Sequence, residues 1–239
     1  MENKAYEVRA LLNSSSSIVA LTGAGISTSA GISDFRGPSG IYATRQYDPE
    51  KVFEINHFLF DQKPFYDFAR EFLNGLKKVE PTFAHCWLSK LEETGRLKGI
   101  ITQNIEGLHQ KAGSKNVLEL HGSFQKSYCM KCGRTFSLEE FEKVMPKRCP
   151  CGGIIKPDIV FFGEPVKHFY EATELARNSN LFLVIGSSLT VYPAAYFPTI
   201  AEGPIVIVNK GKILDDPLSF GSKCAYIDHD IDEFLKMID

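Results

Sequence analysis

The sequence predicts an α/β protein, a Rossmann-like doubly wound parallel sheet carrying a smaller helical and cysteine-bearing domain. Two observations lead there. Short apolar runs recur without the polar alternation of a half-exposed strand: Ile18–Thr22, Gly99–Thr102, Val117–Leu120, Leu181–Ile185 and Ile205–Val208. Such runs mark strands covered on both faces. Helix-patterned stretches near 83–94 and 167–178 lie between them, and alternation of this kind builds parallel sheets. Residues 2–13, with Tyr6, Val8, Leu11 and Leu12 as apolar positions, read as an opening amphipathic helix. Residues 230–238 read as a closing helix.

Two segments break the alternation. Residues 37–80 are rich in aromatics and read as loop and helices, and residues 124–156 hold four of the six cysteines. The expected division assigns 1–36, 84–123 and 157–239 to the large domain. The small domain takes 37–83 as a helical insertion and 124–156 as a metal-binding module.

Composition narrows the function classes. The chain has 239 residues, with 27 Lys and Arg against 29 Asp and Glu, a net charge of −2. That balance supplies no basic surface for sequence-independent nucleic-acid binding. No run of about 18 apolar residues is present, so no membrane span is expected. The opening Met-Glu-Asn-Lys-Ala-Tyr-Glu lacks an apolar signal core, and a cytoplasmic location is expected.

In a reducing compartment, paired cysteines point to metal. Cys129-x2-Cys132 and Cys149-x-Cys151 offer four thiolates in two close pairs, a donor set for one tetrahedral, closed, structural zinc. The single residue inside the second pair departs from the usual spacing of two.

Polar or glycine-rich loops follow the apolar runs, where open α/β sheets bind ligands. Gly23-Ala24-Gly25-Ile26-Ser27 follows the first run; it reads either as a phosphate-approaching loop or as a plain tight turn. Thr28 stands where a full dinucleotide fingerprint has its third glycine. In Asp34-Phe35-Arg36-Gly37, Arg36 suits a phosphate and Phe35 a ring, although a solvated ion pair reads equally well. Thr102-Gln103-Asn104-Ile105-Glu106-Gly107-Leu108-His109 places amide and acid groups at a strand end, with His109 read as a packing or capping residue. His121 closes another strand and is the favoured general base among six histidines. Gly186-Ser187-Ser188 and Asn209-Lys210 close two more strands.

GAGIS, DFRG, TQNI-x-x-LH, HG, two cysteine pairs, FFGE, GSS and VN, in that order, resemble the sirtuins, the NAD-dependent protein deacylases. The likeness runs from about residue 18 to 231. It implies that Ala24, Gly25, Thr28, Phe35 and Arg36 line the cofactor loop, and that Gln103 and Asn104 meet the ribose beside nicotinamide. Ile105 and Glu106 would form the nicotinamide pocket, with Glu106 where the family carries aspartate. Ser187, Asn209 and Asp230 would hold the adenosine end, and Gly186, Ser188 and Lys210 would also bind the cofactor. Val160, Phe161, Phe162 and Gly163, with Val191, would clamp an acetyl-lysine peptide as an added strand.

The implied chemistry consumes NAD. The acyl oxygen attacks the anomeric carbon as nicotinamide leaves, His121 deprotonates a ribose hydroxyl that attacks the resulting imidate carbon, and addition of water breaks the carbon–nitrogen bond to give O-acyl-ADP-ribose and free lysine, with Asn104 as the second catalytic residue. Transfer of ADP-ribose to proteins, or a noncatalytic NAD-binding zinc module, are the competing readings. Sirtuins acting on acidic acyl groups carry Tyr-x-x-Arg in the helical insertion; Tyr66-Asp67-Phe68-Ala69 here implies acetyl over succinyl.

Overall fold

The computed structural model describes residues 1–33, 47–145, 148–213 and 224–239. Phe35 and Arg36 lie outside the described residues.

A six-stranded parallel sheet forms the large unit, from β1 (Ile18–Thr22), β2 (Leu97–Thr102), β3 (Val117–Glu119), β7 (Leu181–Ile185), β8 (Ile205–Asn209) and β9 (Cys224–Asp228). Their order is β3-β2-β1-β7-β8-β9. Each residue of β1, β7 and β8 is buried, as continuous apolar runs require. The strand β9 escapes the sequence pattern because it is an edge: of its five residues only Ile227 is buried.

One face of the sheet packs against α1 (Glu2–Ser14) and, further along the chain, against 83–93 and 231–238. The helices of the insertion are α2 (Pro49–Phe53), α3 (Ile55–Phe60) and α4 (Lys63–Leu76), followed by α5 (Phe83–Glu93) and the short α6 (Leu108–Lys111). Next come α7 (Leu138–Val144), α8 (Phe169–Arg177), α9 (Phe197–Ile200) and α10 (Ile231–Ile238). The opposite face of the sheet is covered by α8 and α9.

A second, antiparallel sheet has the order β5-β4-β6, from β4 (Gly122–Cys129), β5 (Thr135–Ser137) and β6 (Ile155–Ile159). Pro157 is tolerated because β6 is an edge strand. A separate core joins this sheet to the helical insertion: Phe58, Phe65 and Phe68 pack with Phe124, Phe141 and Phe161. Tyr66 donates to the Ile155 carbonyl at 2.7 Å, tying the two excursions together. Among the described residues, no helix is long and apolar enough to cross a membrane.

The start of α5 carries a reciprocal cap. The Thr82 hydroxyl accepts from the His85 amide at 3.4 Å, and His85 Nδ1 accepts from the Thr82 amide at 3.2 Å. His85 is fully buried, and burial pushes its pKa down to about 4, with Asp232 opposing the shift. An unfolded histidine titrates near 6.5, so below that pH the unfolded chain binds a proton that the folded chain refuses. Stability is therefore retained above about pH 6.5 and lost as pH falls from there toward 4, on the order of 3 kcal/mol at full effect. Burial raises the Glu106 and Glu119 carboxyls, which act with the opposite sign. The check is thus a difference: thermal unfolding between pH 6.5 and 5 should show a steeper loss in wild type than in His85→Asn, which keeps the acceptor and cannot titrate.

Candidate functional site at the switch point of the sheet

The chain winds outward from β1 through β2 to β3, and in the other direction from β7 through β8 to β9. The reversal falls between β1 and β7, where open α/β sheets leave a ligand crevice at the carboxyl ends of their strands. The two loops there touch backbone to backbone. Gly25 N–H donates to the Gly186 carbonyl at 2.8 Å, and Gly23 N–H to the Ile185 carbonyl at 3.2 Å. A Cβ on Gly25 would lie 2.8 Å from Gly186 Cα, and Gly186 itself has φ of +67°. These glycines thus serve loop-to-loop contact, and the Gly25 amide is committed to it. The chain then turns through a 3-10 helix, Ala24–Ala30, on which Thr28 is exposed and bonded to the Gly25 carbonyl at 3.0 Å.

The loop after β2 enters the same crevice. Gln103 donates to Ser187 Oγ at 2.8 Å, joining it to the β7 loop. Asn104 is buried, and its side-chain amide donates to Glu106 Oε1 at 2.9 Å and to Ser27 Oγ and the Gly23 carbonyl at 3.3 Å each. Glu106 also accepts from Ser27 Oγ at 2.6 Å and from the Ile105 amide at 3.1 Å. Burial raises the Glu106 carboxyl pKa against these donors. Ser27, read from the sequence only as part of a glycine loop, is a member of the cluster; its position after two glycines gave no hint of a carboxylate partner.

His121 follows β3. Its Nδ1 lies 2.9 Å from the Gln103 carbonyl. A carbonyl only accepts, so Nδ1 carries the proton and Nε2 of the neutral ring keeps its lone pair. Burial lowers the His121 pKa, opposed by the same carbonyl, so at neutral pH the ring holds the form a base requires.

The His121 carbonyl in turn accepts from Val160 N–H at 2.8 Å. Beside it, Gly122 has φ of +69°, and a Cβ there would meet the Asp158 carbonyl oxygen at 1.9 Å. Phe162 is exposed, but its N–H and carbonyl are taken by Phe53 and Ile55 at 2.7 and 3.1 Å. Phe161 is buried within the second core, and its ring packs 5.1 Å from that of Phe58. Buried Lys156 closes this turn: Nζ lies 2.8 Å from Glu164 Oε2 and 2.6 Å from the Ile159 carbonyl, while Glu164 accepts from the Phe161 amide at 2.8 Å. The sequence reading passed over that pair, since a lysine in a strand beside proline signals nothing by itself.

After Ser187 and Ser188, Leu189 is buried with φ of +54°, a conformation that costs a branched side chain and holds only where packing enforces it. It leads to half-buried Val191. Buried Asn209 donates to the carbonyls of Lys210 and Gly211 at 3.4 and 3.3 Å, and Lys210 is exposed. Asp230 caps α10, accepting from the Glu233 amide at 3.1 Å.

At the far end of the antiparallel sheet the four thiols converge, all within 4.8 Å of one another. Cys129 and Cys151 sulfurs are 3.4 Å apart, and those of Cys132 and Cys149 3.8 Å. A tetrahedral zinc with bonds near 2.3 Å has S···S edges of about 3.8 Å, so the set fits one ion. The short second pair closes through Gly152 N–H to the Cys149 carbonyl at 2.7 Å. A Cβ on Gly153 would fall 2.5 Å from Cys129 Sγ.

Residues 23–193 match the Sir2 family model. An NAD-dependent protein deacetylase of Saccharolobus solfataricus is 52% identical over 206 residues, covering 83% of this chain and 82% of that protein. A solved Sir2 structure with a p53 peptide and NAD+ has a TM-score of 0.86 at 40% identity, covering 97% of this chain and 95% of the other. Another, with deacetylated p53 peptide and 3'-O-acetyl-ADP-ribose, has a TM-score of 0.88 at 41% identity, covering 98% and 96%. The loops that converge on the switch point are those of a family whose motifs this chain carries in order, and the chain belongs to the Sir2 family.

Proposed function

We propose that this chain is an NAD-dependent protein-lysine deacetylase acting on acetyl-lysine proteins or peptides, with one structural zinc. The observation that carries the reading is the neutral His121, oriented by the Gln103 carbonyl beside Asn104 in a crevice of backbone at the switch point. A binding module would not need a half-buried neutral histidine held with Nε2 as its unprotonated nitrogen. Relatives at this similarity bear the deacetylase name, and the two solved structures hold NAD+ in one and deacetylated peptide with acetyl-ADP-ribose in the other.

NAD, when bound, supplies an anomeric carbon that accepts the acyl oxygen as nicotinamide departs. The residues that would hold it are Ala24, Gly25, Thr28, Phe35 and Arg36 on the first loop, and Gln103, Asn104, Ile105 and Glu106 on the second. Ser187, Asn209 and Asp230 would take the adenosine end, and Gly186, Ser188 and Lys210 would also bind the cofactor. Asn104 orients the ribose, and His121 Nε2 takes a ribose hydroxyl proton.

The peptide would add as a strand between Val160–Gly163 and Val191. With both Phe162 backbone groups and the Val160 N–H already paired, the Val160 carbonyl and Gly163 would carry the main-chain bonds. The two excursions, 37–83 and 124–156, would act as one small domain closing over that cleft, and a cytoplasmic location suits lysine targets. Acetyl is favoured over succinyl: Ala69 is fully buried where acidic-acyl enzymes carry arginine, and Arg70 pairs with Asp67 at 3.2 Å on the surface.

His121→Ala should lose about 10²- to 10⁴-fold in deacetylation while keeping its fold and NAD binding. Mass spectrometry of an acetyl-peptide incubated with NAD reads it, and also separates acyl transfer from ADP-ribosyl transfer. Turnover within a few-fold of wild type would remove the assignment.

Elemental analysis should find one zinc per chain. Chelation, or Cys151→Ser, should unfold the module and lower activity, because the binding energy of a structural zinc is folding energy. A metal-free protein of unchanged stability would contradict the site.

Glu106→Asp should strengthen nicotinamide inhibition and speed base exchange. The longer carboxylate is turned back onto Asn104, Ser27 and its own loop, and misplacement near an ångström can cost about 10²-fold. Identical inhibition and exchange constants would mean the added methylene is silent.

A further inference from the structure

The crevice rests on a buried polar chain that no step of the chemistry uses. Thr22 and Thr102 are the last residues of β1 and β2 and pair across the sheet. Both are buried, and their hydroxyls are 2.8 Å apart. Thr102 Oγ1 accepts from the Asn104 amide at 3.1 Å. Thr22 Oγ1 also lies 2.8 Å from His109 Nε2. His109 sits on α6, directly past the loop that bears Asn104, Ile105 and Glu106.

That loop is therefore gripped at both feet. Its entry is held through Thr102 and its exit through His109, and the two grips meet on one hydroxyl, that of Thr22. The backbone adds a third tie, from Gln103 N–H to the Thr22 carbonyl at 3.0 Å. Placing three polar side chains in a layer that valine and leucine could fill costs desolvation, which hydrogen bonding only offsets. Such a network specifies one arrangement of the groups it joins.

We infer that His109 and Thr22 are positioning residues, which through Thr102 fix the Asn104 loop against β1 and so set where the ribose contact and the nicotinamide pocket stand. Neither touches substrate. His109 must act as a neutral ring, and its burial together with the His85 ring, 4.7 Å away, keeps it so. Asp232 acts on His85 alone, with the opposite sign to burial. The inference rests on the reading of Asn104 given above.

The test compares Thr22→Val, which removes the hydroxyl at constant shape, with Thr22→Ser, which keeps it. It also compares His109→Phe with His109→Gln, whose amide reaches the place of Nε2. For each, kcat and KM with acetyl-peptide, nicotinamide exchange, NAD binding and thermal unfolding are measured, with rates taken where the protein is folded. Thr22→Val and His109→Phe should lower kcat and exchange together by about 10- to 100-fold, with NAD affinity changed less than about threefold. Thr22→Ser and His109→Gln should recover most of the loss. A purely structural role would lower the unfolding temperature and leave kcat of the folded protein intact. Turnover of Thr22→Val within about twofold of wild type, or equal losses in Ser and Val, would overturn the inference. If Thr22→Val does not fold, the His109 pair decides by the same criteria. Asn104→Ala separates the layers: an active Asn104→Ala removes the reading beneath, whereas an inactive one beside an unimpaired Thr22→Val removes this inference alone.

Discussion

The contact of Gly23 and Gly25 with the backbone around Gly186 is the constraint from which the rest of the site follows. It occurs where the winding of the sheet reverses, and it brings two strand-end loops closer than any side chain permits. With those loops fused, Gln103 reaches Ser187, Asn104 reaches Gly23, and His121 finds the Gln103 carbonyl. Each step uses the previous one as its anchor. The site is a sequence of backbone carbonyls and short polar side chains set by strand ends, which is why it needs few charged groups of its own.

The second unit obeys a different economy. A three-stranded antiparallel sheet with one short helix buries little by itself, and small modules of this size draw on other units or on metal for stability. Here it does both: the aromatic cluster shared with the helical insertion covers one side, and four thiolates gather the distal end.

The parallel strands were legible in the sequence because double-sided burial leaves an unbroken apolar run. The motif loops were legible because glycine and amide residues stood where those runs ended. The edge strand 224–228 was not, since exposure on one side erased the pattern. The antiparallel strand 122–129 was hidden too, because its Ser-Phe-Gln-Lys-Ser mixture carries no unbroken apolar run. Single residues of the site divide in the same way. His121 stood out by place, whereas Ser27, Thr22 and Lys156 draw their roles from partners far along the chain, and one-dimensional spacing does not carry that information.

The base of the cysteine-bearing hairpin has a consequence for how such a protein can vary. Gly122 and the His121–Val160 bond close that hairpin against the crevice, with no room for a Cβ over the Asp158 carbonyl. The distal strands and the thiol knuckles hang from that tight root, whereas the helical insertion that shares the aromatic cluster joins the chain elsewhere. Lengthening, shortening or exchanging the distal segment therefore leaves His121 and Val160 in register, while any side chain at position 122 would pry the two apart. The module is graftable at its tip and intolerant at its root.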